Sequence, residues 1–426
     1  MKLLKTTLFS ALITFIRISS GFVTGKAVAI FTGPAGVAII GAFSNFISIV
    51  LAFANGAITN GIVKYTAEYN DDNQQTSTLF STALRISVIC SIFVAVLLLS
   101  TANYLSTWIF KSNDYSNPLR VLGLTIILYS LNSLLIAILN GKSQIKLFTL
   151  VNTIGSIAGL LFTVTLVFFY KIQGALYAIV LSQSIVFFIT LILVIRSEWF
   201  SWSYFKSGFN VVMATKLSHY SLMSIITALT VPVTQIFLRN LLIEKVGIDS
   251  AGFWQGMMRI SDGYLMLLTT SLATYYLPKL SSLKTDLELR KEVLKGYRLI
   301  IPTVFIGCTI IYFLRFFIIK VLYTNNFLAM ENLFLWQLIG DFFKMSAWIL
   351  SYLMLAKAMT KAYIITEIIF SFLYILLGYV FIIMFGLQGV TIAFAIAYIV
   401  YFLTMIWLFR KILSRKLNNT KEHERI

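Results

Sequence analysis

Charge is what this sequence has little of. Only 12% of its 426 residues are Asp, Glu, Lys or Arg, against about a quarter in a soluble domain, and 59% are hydrophobic. The mean hydropathy is +0.88. So few ionised side chains cannot cover a globule of this mass in water. A soluble enzyme, a disulfide-stapled secreted domain and a disordered tail are thereby excluded. Cysteine is almost missing: Cys90 and Cys308 sit in mid-run apolar surroundings with no Cys or His near them in sequence, as small buried side chains do. Acid is scarcer than base, 16 residues against 34, for a net charge of +18. A nucleic-acid binder would gather such an excess on one solvated face, whereas these cations are scattered between apolar runs, so no nucleic-acid partner is expected. No nucleotide motif, cofactor signature or metal-ligand cluster stands out.

Long polar stretches are also missing. A helix needs about 20 apolar residues to cross a hydrocarbon core of ~30 Å. Cutting the chain at its polar or Gly/Pro-marked breaks gives twelve such runs, at 7–32, 36–60, 79–103, 118–140, 147–170, 175–196, 213–238, 251–277, 296–321, 332–355, 362–385 and 390–409. The start has a signal peptide's basic head and apolar centre, yet Arg17 interrupts the core and no A-x-A site follows, so it reads as a retained first span. The loops on both sides are short, and the longest outer connections, around Ser106–Asn117 and Arg239–Ser250, are too short to fold as domains. Whatever the protein does, it does among its helices.

Tallying Lys and Arg by alternate gaps puts 23 on the side of both termini, including Lys2, Lys5, Lys284 and the tail residues Arg415, Lys416, Lys421 and Arg425. The other side holds 7, Lys111, Arg120, Lys171, Arg239, Lys245, Arg315 and Lys320, and four lie within spans. The positive-inside rule then makes both termini cytoplasmic.

The chain repeats itself at half its length. Lys142 and Lys146 recur as Lys357 and Lys361 at an offset of 215, Ile172-Gln173-Gly174 as Leu387-Gln388-Gly389 at the same offset, and Ala35-Gly36 as Ala251-Gly252 at 216. Three matches in chain order argue for duplication. Six spans separate the copies, so the halves share one orientation and are related by an axis along the membrane normal. The expected fold is an all-α polytopic membrane protein of twelve transmembrane helices in two six-helix bundles. These would be 1–212, and 213–426 with a short cytoplasmic tail, around a cleft able to open to either side.

A charge at mid-bilayer needs a partner or a function. Arg259 and Asp262, and Asp341 and Lys344, are i, i+3 neighbours that can neutralise each other on one helix face; alternatively Asp262 and Asp341 titrate or bind a coupling cation. Glu367 and His219 lie near span ends, where snorkelling or interfacial roles suffice. Arg17 and Lys26 differ, since no acid occurs in spans 1 and 2. Either they line a wet, anion-binding cavity, or they pair with an acid of another helix such as Asp262 or Asp341. Small polar stripes (Thr149, Asn152, Ser156 on span 5; Ser48, Asn55, Thr59 on span 2) serve close packing or line a lumen. Pro232, mid-span 7, is either a hinge or a static bend.

A polysaccharide polymerase or glycosyltransferase would need a large outer loop or a carboxylate-rich site, and a drug exporter acids to hold organic cations; the spans of the first half have none. A major-facilitator symporter would join spans 2 and 3 by a Gly-x-x-x-Asp-Arg-x-Gly-Arg type loop, where this chain reads Asn60-Gly-Ile-Val-Lys64-Tyr-Thr-Ala-Glu68-Tyr-Asn-Asp-Asp72. Cations unbalanced in a membrane cavity predict an anionic cargo.

The segment Gly21-Phe-Val-Thr-Gly25-Lys26-Ala-Val-Ala-Ile-Phe-Thr-Gly33-Pro34-Ala35-Gly36, followed by Asn60-Gly61-Ile-Val-Lys64-Tyr65, resembles the opening of Wzx-type O-antigen and lipid III flippases. These belong to the multidrug/oligosaccharidyl-lipid/polysaccharide exporter superfamily. Tyr275-Tyr276-Leu277-Pro278-Lys279-Leu280 is similar to the corresponding second-half segment. The resemblance is strongest over about the first 75 residues and near 250–285. It implies a non-enzymatic flippase of the bacterial inner membrane, working by alternating access. Its substrate would be an undecaprenyl-pyrophosphate-linked oligosaccharide, with membrane lipids around it and a polysaccharide polymerase and chain-length regulator as partners. Arg17 and Lys26 would meet the pyrophosphate, with Arg259 and Lys344 as second-half candidates and Lys142, Lys146, Lys357 and Lys361 at the cytoplasmic mouth. The alternative is an ion-coupled exporter of small amphiphiles on the same fold.

The tally is open to test. Ser112→Cys should react with an impermeant thiol reagent in intact cells, and Ser282→Cys only after permeabilisation; the reverse pattern overturns the orientation.

Overall fold

The computed structural model describes residues 2–283, 285–357 and 359–414, with side chains from Phe15 onward except those of residues 219, 220, 222, 223, 227, 271, 273, 274, 277, 278, 282 and 414. The readings at the side chains of Lys2, Lys5 and His219, at Lys284 and in the basic tail lie outside the described residues. Among the described residues there are helices and turns but no strand. In hydrocarbon only a helix satisfies its backbone within one segment, and this chain takes that solution throughout.

The helices are α1 (Lys2–Ala54), α2 (Thr59–Glu68), α3 (Asn73–Phe110), α4 (Ser116–Gly141), α5 (Ile145–Ile195), α6 (Val211–Lys245), α7 (Ile248–Ser271), α8 (Leu277–Ser282), α9 (Asp286–Phe313), α10 (Arg315–Leu322), α11 (Phe334–Ala356), α12 (Thr360–Phe385), α13 (Leu387–Leu408) and α14 (Arg410–Ser414). At 1.5 Å per residue, α1 and α5 have contour lengths of ~80 Å, more than twice a bilayer core, so each must be two spans. Their joints agree. Helical backbone breaks at Gly33 (φ 66°, ψ −169°), beside Pro34, and at Lys171 (φ 48°, ψ −126°). Among the described residues nine helices are long and apolar enough to cross a membrane. Counting α1 and α5 twice, and adding α7, which carries Arg259 and Asp262 and falls outside those nine, gives the expected twelve crossings.

The repeat has a backbone counterpart. Gly386, 215 residues after Lys171, has φ 59° and ψ −131°, nearly the same conformation, and breaks the chain between α12 and α13. Three residues on, Gly174 and Gly389 do the same job: a Cβ there would lie 1.9 Å from the Leu166 carbonyl oxygen and 2.0 Å from that of Phe381, each eight residues back. Both hairpins fold so tightly that only hydrogen fits.

The chain forms two compact units, Met1–Gln255 with Ile319–Leu328, and Gly256–Ile318 with Ala329–Ile426. In the first, Ile58, Ile62, Leu79, Phe80, Ile138 and Leu217 centre an apolar core. At the end of α1 the buried Ala54 carbonyl, with no helical partner, accepts hydrogen bonds from Ser91 of α3 (3.0 Å) and Ser130 of α4 (3.2 Å), while Ser221 of α6 donates to the next turn at Gly56 (3.0 Å). In the second unit α11 lies against α13, where Gly340 leaves room for the Phe394 ring.

The three hairpin positions predict an order of stability. Gly386→Ala meets no atom within 4 Å, so it costs only the conformational penalty, about 1–2 kcal/mol. Gly389→Ala also drives a methyl into the Phe381 carbonyl and should cost more. Lys171→Gly relieves a side chain from the same unfavourable region and should stabilise. Thermal unfolding midpoints in detergent should rank Lys171→Gly, wild type, Gly386→Ala, Gly389→Ala from highest to lowest.

Candidate substrate site

In the first unit Arg17 lies about 24 Å along the helix before the Gly33 break. It is exposed, and among the described residues of its unit no carboxylate pairs with it. The aromatic ring of half-buried Tyr129, on α4, is close enough to feel its charge. Lys26, two and a half turns further on, is committed: its Nζ donates to the Val321 carbonyl at 2.6 Å. That oxygen belongs to the last turn of α10, where carbonyls lack helical partners and a cation is favoured. The two cations grouped together by sequence thus have different surroundings, one without a carboxylate and one capping a helix.

Pro232 is buried within α6, which continues helical through it. Around it the helix presents polar side chains to its neighbours. Asn45 of α1 donates from Nδ2 to Gln235 Oε1 at 2.8 Å. One turn on stands a residue that the tally of alternate gaps places in a loop: Arg239 is 1% exposed inside α6. Its Nη2 donates to Gln255 Oε1 of α7, and its guanidinium carbon lies 5.8 Å from the Trp254 ring centroid. The sequence holds one sign of this placement. Gln235 and Arg239 are i, i+4 neighbours on one face of α6, so a polar stripe runs past the point where hydropathy ends the span.

The repeat-related lysines fall into matching pairs. Lys146 and Lys361 are exposed, whereas Lys142 and Lys357 are half-buried. The Lys142 ammonium lies 5.8 Å from the Tyr204 ring centroid and 6.0 Å from that of Trp199, and burial there pulls its pKa down, against the opposing pull of Asp71. Lys357 instead donates from Nζ to the Leu283 carbonyl at 2.5 Å.

In the second unit the charged residues converge. Asp341 of α11 is fully buried and accepts hydrogen bonds from Ser261 Oγ (2.7 Å) and the Tyr264 hydroxyl of α7, and from Gln337 Nε2 (3.3 Å). All three are donors, so its oxygens are satisfied without Lys344. The expected i, i+3 ion pair is therefore not a direct contact. Lys344, 8% exposed, has its ammonium 5.0 Å from the Trp348 ring centroid and 5.8 Å from those of Phe394 and Tyr398, a cation–π setting. It remains within electrostatic reach of Asp341, Asp262 and Glu367. Glu367, which its position near a span end marks as a snorkelling residue, thus belongs to this group. Half-buried Arg259 balances exposed Asp262 from one turn away.

Residues 39–332 match the family described as polysaccharide biosynthesis protein. Lipid III flippase of Escherichia coli (strain K12) is 32% identical over 402 residues, covering 94% of this chain and 97% of the relative, and lipid III flippase of Shigella flexneri matches to the same extent. Among solved structures, a multidrug resistance MATE family transporter of the MOP superfamily in an inward-facing conformation superposes with a TM-score of 0.78 at 16% identity, over 95% of this chain and 96% of that one. A MOP superfamily transporter from Pyrococcus furiosus, described by the reverse polarity of its binding pocket, gives 0.74 at 15% identity, over 96% of each chain. The solved structures share the fold, and the match of sequence, nearly end to end, goes further: the chain belongs to the polysaccharide biosynthesis protein family, with lipid III flippases among its relatives.

Proposed function

We propose that the protein is a flippase that moves an undecaprenyl-pyrophosphate-linked oligosaccharide from the cytoplasmic to the periplasmic leaflet of a bacterial inner membrane, both of its termini being cytoplasmic. The observation that carries this reading is the near full-length match to lipid III flippases. The chemistry of the spans supports it. Arg17 is a cation at membrane depth with no acid in its own span or the next, and a fixed cation there suits an anionic headgroup rather than an organic cation. Arg17 is the first contact for the pyrophosphate, and Lys26 joins it when it leaves the Val321 carbonyl. Arg259 and Lys344 are second-half contacts, and Pro232 is the hinge of α6. The two halves, 1–212 and 213–426, work as bundles by alternating access. This reading draws support from structures of MATE family transporters of the same fold in inward- and outward-facing conformations.

Moving two negative charges outward against an inside-negative potential gains about 2.3 kcal/mol per charge per 100 mV. The potential alone therefore biases export. Asp341 and Asp262, with Lys344 between them electrostatically, form the place where a proton or cation would couple to the same cycle. That group also favours the second reading, an ion-coupled exporter of small amphiphiles. A polysaccharide polymerase and a chain-length regulator are the partners expected to receive the product.

Removing a charge-assisted contact from a desolvated site costs about 1.5–3 kcal/mol, or roughly ten- to a hundredfold in apparent affinity. Arg17→Ala should accumulate normally yet fail to restore surface glycan in a flippase-deficient strain, and Arg17→Lys should restore it in part. Poor accumulation of Arg17→Ala, rescued by neutralising Asp262 or Asp341, would instead assign Arg17 to an ion pair.

At the cytoplasmic mouth each cation, exposed or half-buried, contributes at most about 1 kcal/mol of attraction to an anionic surface. Single Ala substitutions at Lys142, Lys146, Lys357 and Lys361 should leave export near normal, and the quadruple change should slow it. Loss of export from one of them, at unchanged protein level, contradicts this peripheral role.

A further inference from the structure

Arg239 presents a physical problem that packing does not solve. It is 1% exposed, and among the described residues no carboxylate pairs with it. One nitrogen donates to Gln255, while Nε and Nη1 have no acceptor. Beside them the buried indole Nε1–H of Trp254 also lacks one. Three buried donors, two of them on a fixed positive charge and the third on the ring whose centroid is 5.8 Å from the guanidinium carbon, thus have no acceptor. The unpartnered acceptor nearest in sequence, Asn240 Oδ1, starts about 100° further around the helix. Gln255 itself is seated against Gly41, where a Cβ would lie 2.3 Å from its carboxamide, so the group that holds Nη2 is fixed.

A buried cation that has a ring face and one amide oxygen for partners, but no carboxylate and two unpartnered N–H groups, is disfavoured in a closed protein and favoured around a bound oxyanion. We infer that Arg239 and Trp254 form a second oxyanion-binding station in the first unit, for the diphosphate of the lipid carrier or a carboxylate on its glycan. Access follows from the helix that carries it. Pro232, two turns before Arg239, cannot donate to the Ala228 carbonyl, and Gly247, with φ 116°, ends the α6–α7 turn. Bending at Pro232 carries 233–245 away from α7 and uncovers the guanidinium. Along α1 and α6, Arg17 lies far from the Gly33 end whereas Arg239 lies near the α6–α7 turn, so the two cations serve different stages of a crossing. The inference rests on the flippase reading.

The test uses purified full-length protein in nanodiscs, with geranyl diphosphate and glucuronic acid as separate probes, and flipping of a polyprenyl-diphosphate-linked sugar in proteoliposomes. Wild type should be stabilised thermally by at least one probe, and which one identifies the source of the oxyanion. Arg239→Met should melt at or above wild type, lose that response and flip ten- to a hundredfold more slowly. Gln255→Glu, which supplies the missing carboxylate while keeping Arg239, should do the same, and it decides the matter if Arg239→Met fails to fold. Variants that melt lower yet keep the probe response and the flipping rate make Arg239 a structural residue and overturn the proposal. Wild type that flips but responds to neither probe overturns it too, and leaves the flippase reading standing. Wild type that neither flips nor responds overturns both.

Discussion

Backbone N–H and C=O groups that lie within a bilayer must find their partners inside the protein, and the rest of the structure follows from that constraint. It makes the fold helical, because only a helix closes its own hydrogen bonds. It also governs what happens where a helix stops. The buried end of α1 is held by hydroxyls from three other helices, at Ser91, Ser130 and Ser221. The end of α10 is held by Lys26. These contacts are polar, yet they sit at the ends of helices rather than along them, so the apolar faces remain free to pack.

The same constraint explains why the repeat survives most clearly at its turns. Lys171 and Gly386 share a backbone conformation although their side chains have nothing in common, and Gly174 and Gly389 repeat the close approach that follows. Between the turns any apolar side chain serves, so the two halves drift apart. At the turns the chain must reverse within a residue or two while the flanking helices pack closely, and few conformations allow it.

The twelve crossings were legible in the sequence because hydropathy reflects burial in lipid directly, and the turn glycines preserve the duplication. The charged site was legible only in part. Spacing on one helix predicts that Asp341 and Lys344 meet, but the hydroxyls of Ser261 and Tyr264 reach the carboxylate first, and these come from another helix. Glu367 looks peripheral when its depth is measured from the end of its run, whereas α11 brings Lys344 into its reach. Hydropathy assigns Arg239 to a loop because a polar stretch begins at its position. It marks where a run ends, and α6 continues past that point to Lys245.

These contacts separate the charges by kind. In the first unit Arg17 and Arg239 are cations within helices long and apolar enough to cross a membrane, without acid partners among the described residues, and Lys26 rests on the Val321 carbonyl. In the second, Asp341, Asp262 and Glu367 gather around Lys344, so that adding or removing one proton or cation changes the balance of the whole group. The first unit thus carries fixed positive charge without acid partners, and the second a group whose charges are coupled to one another.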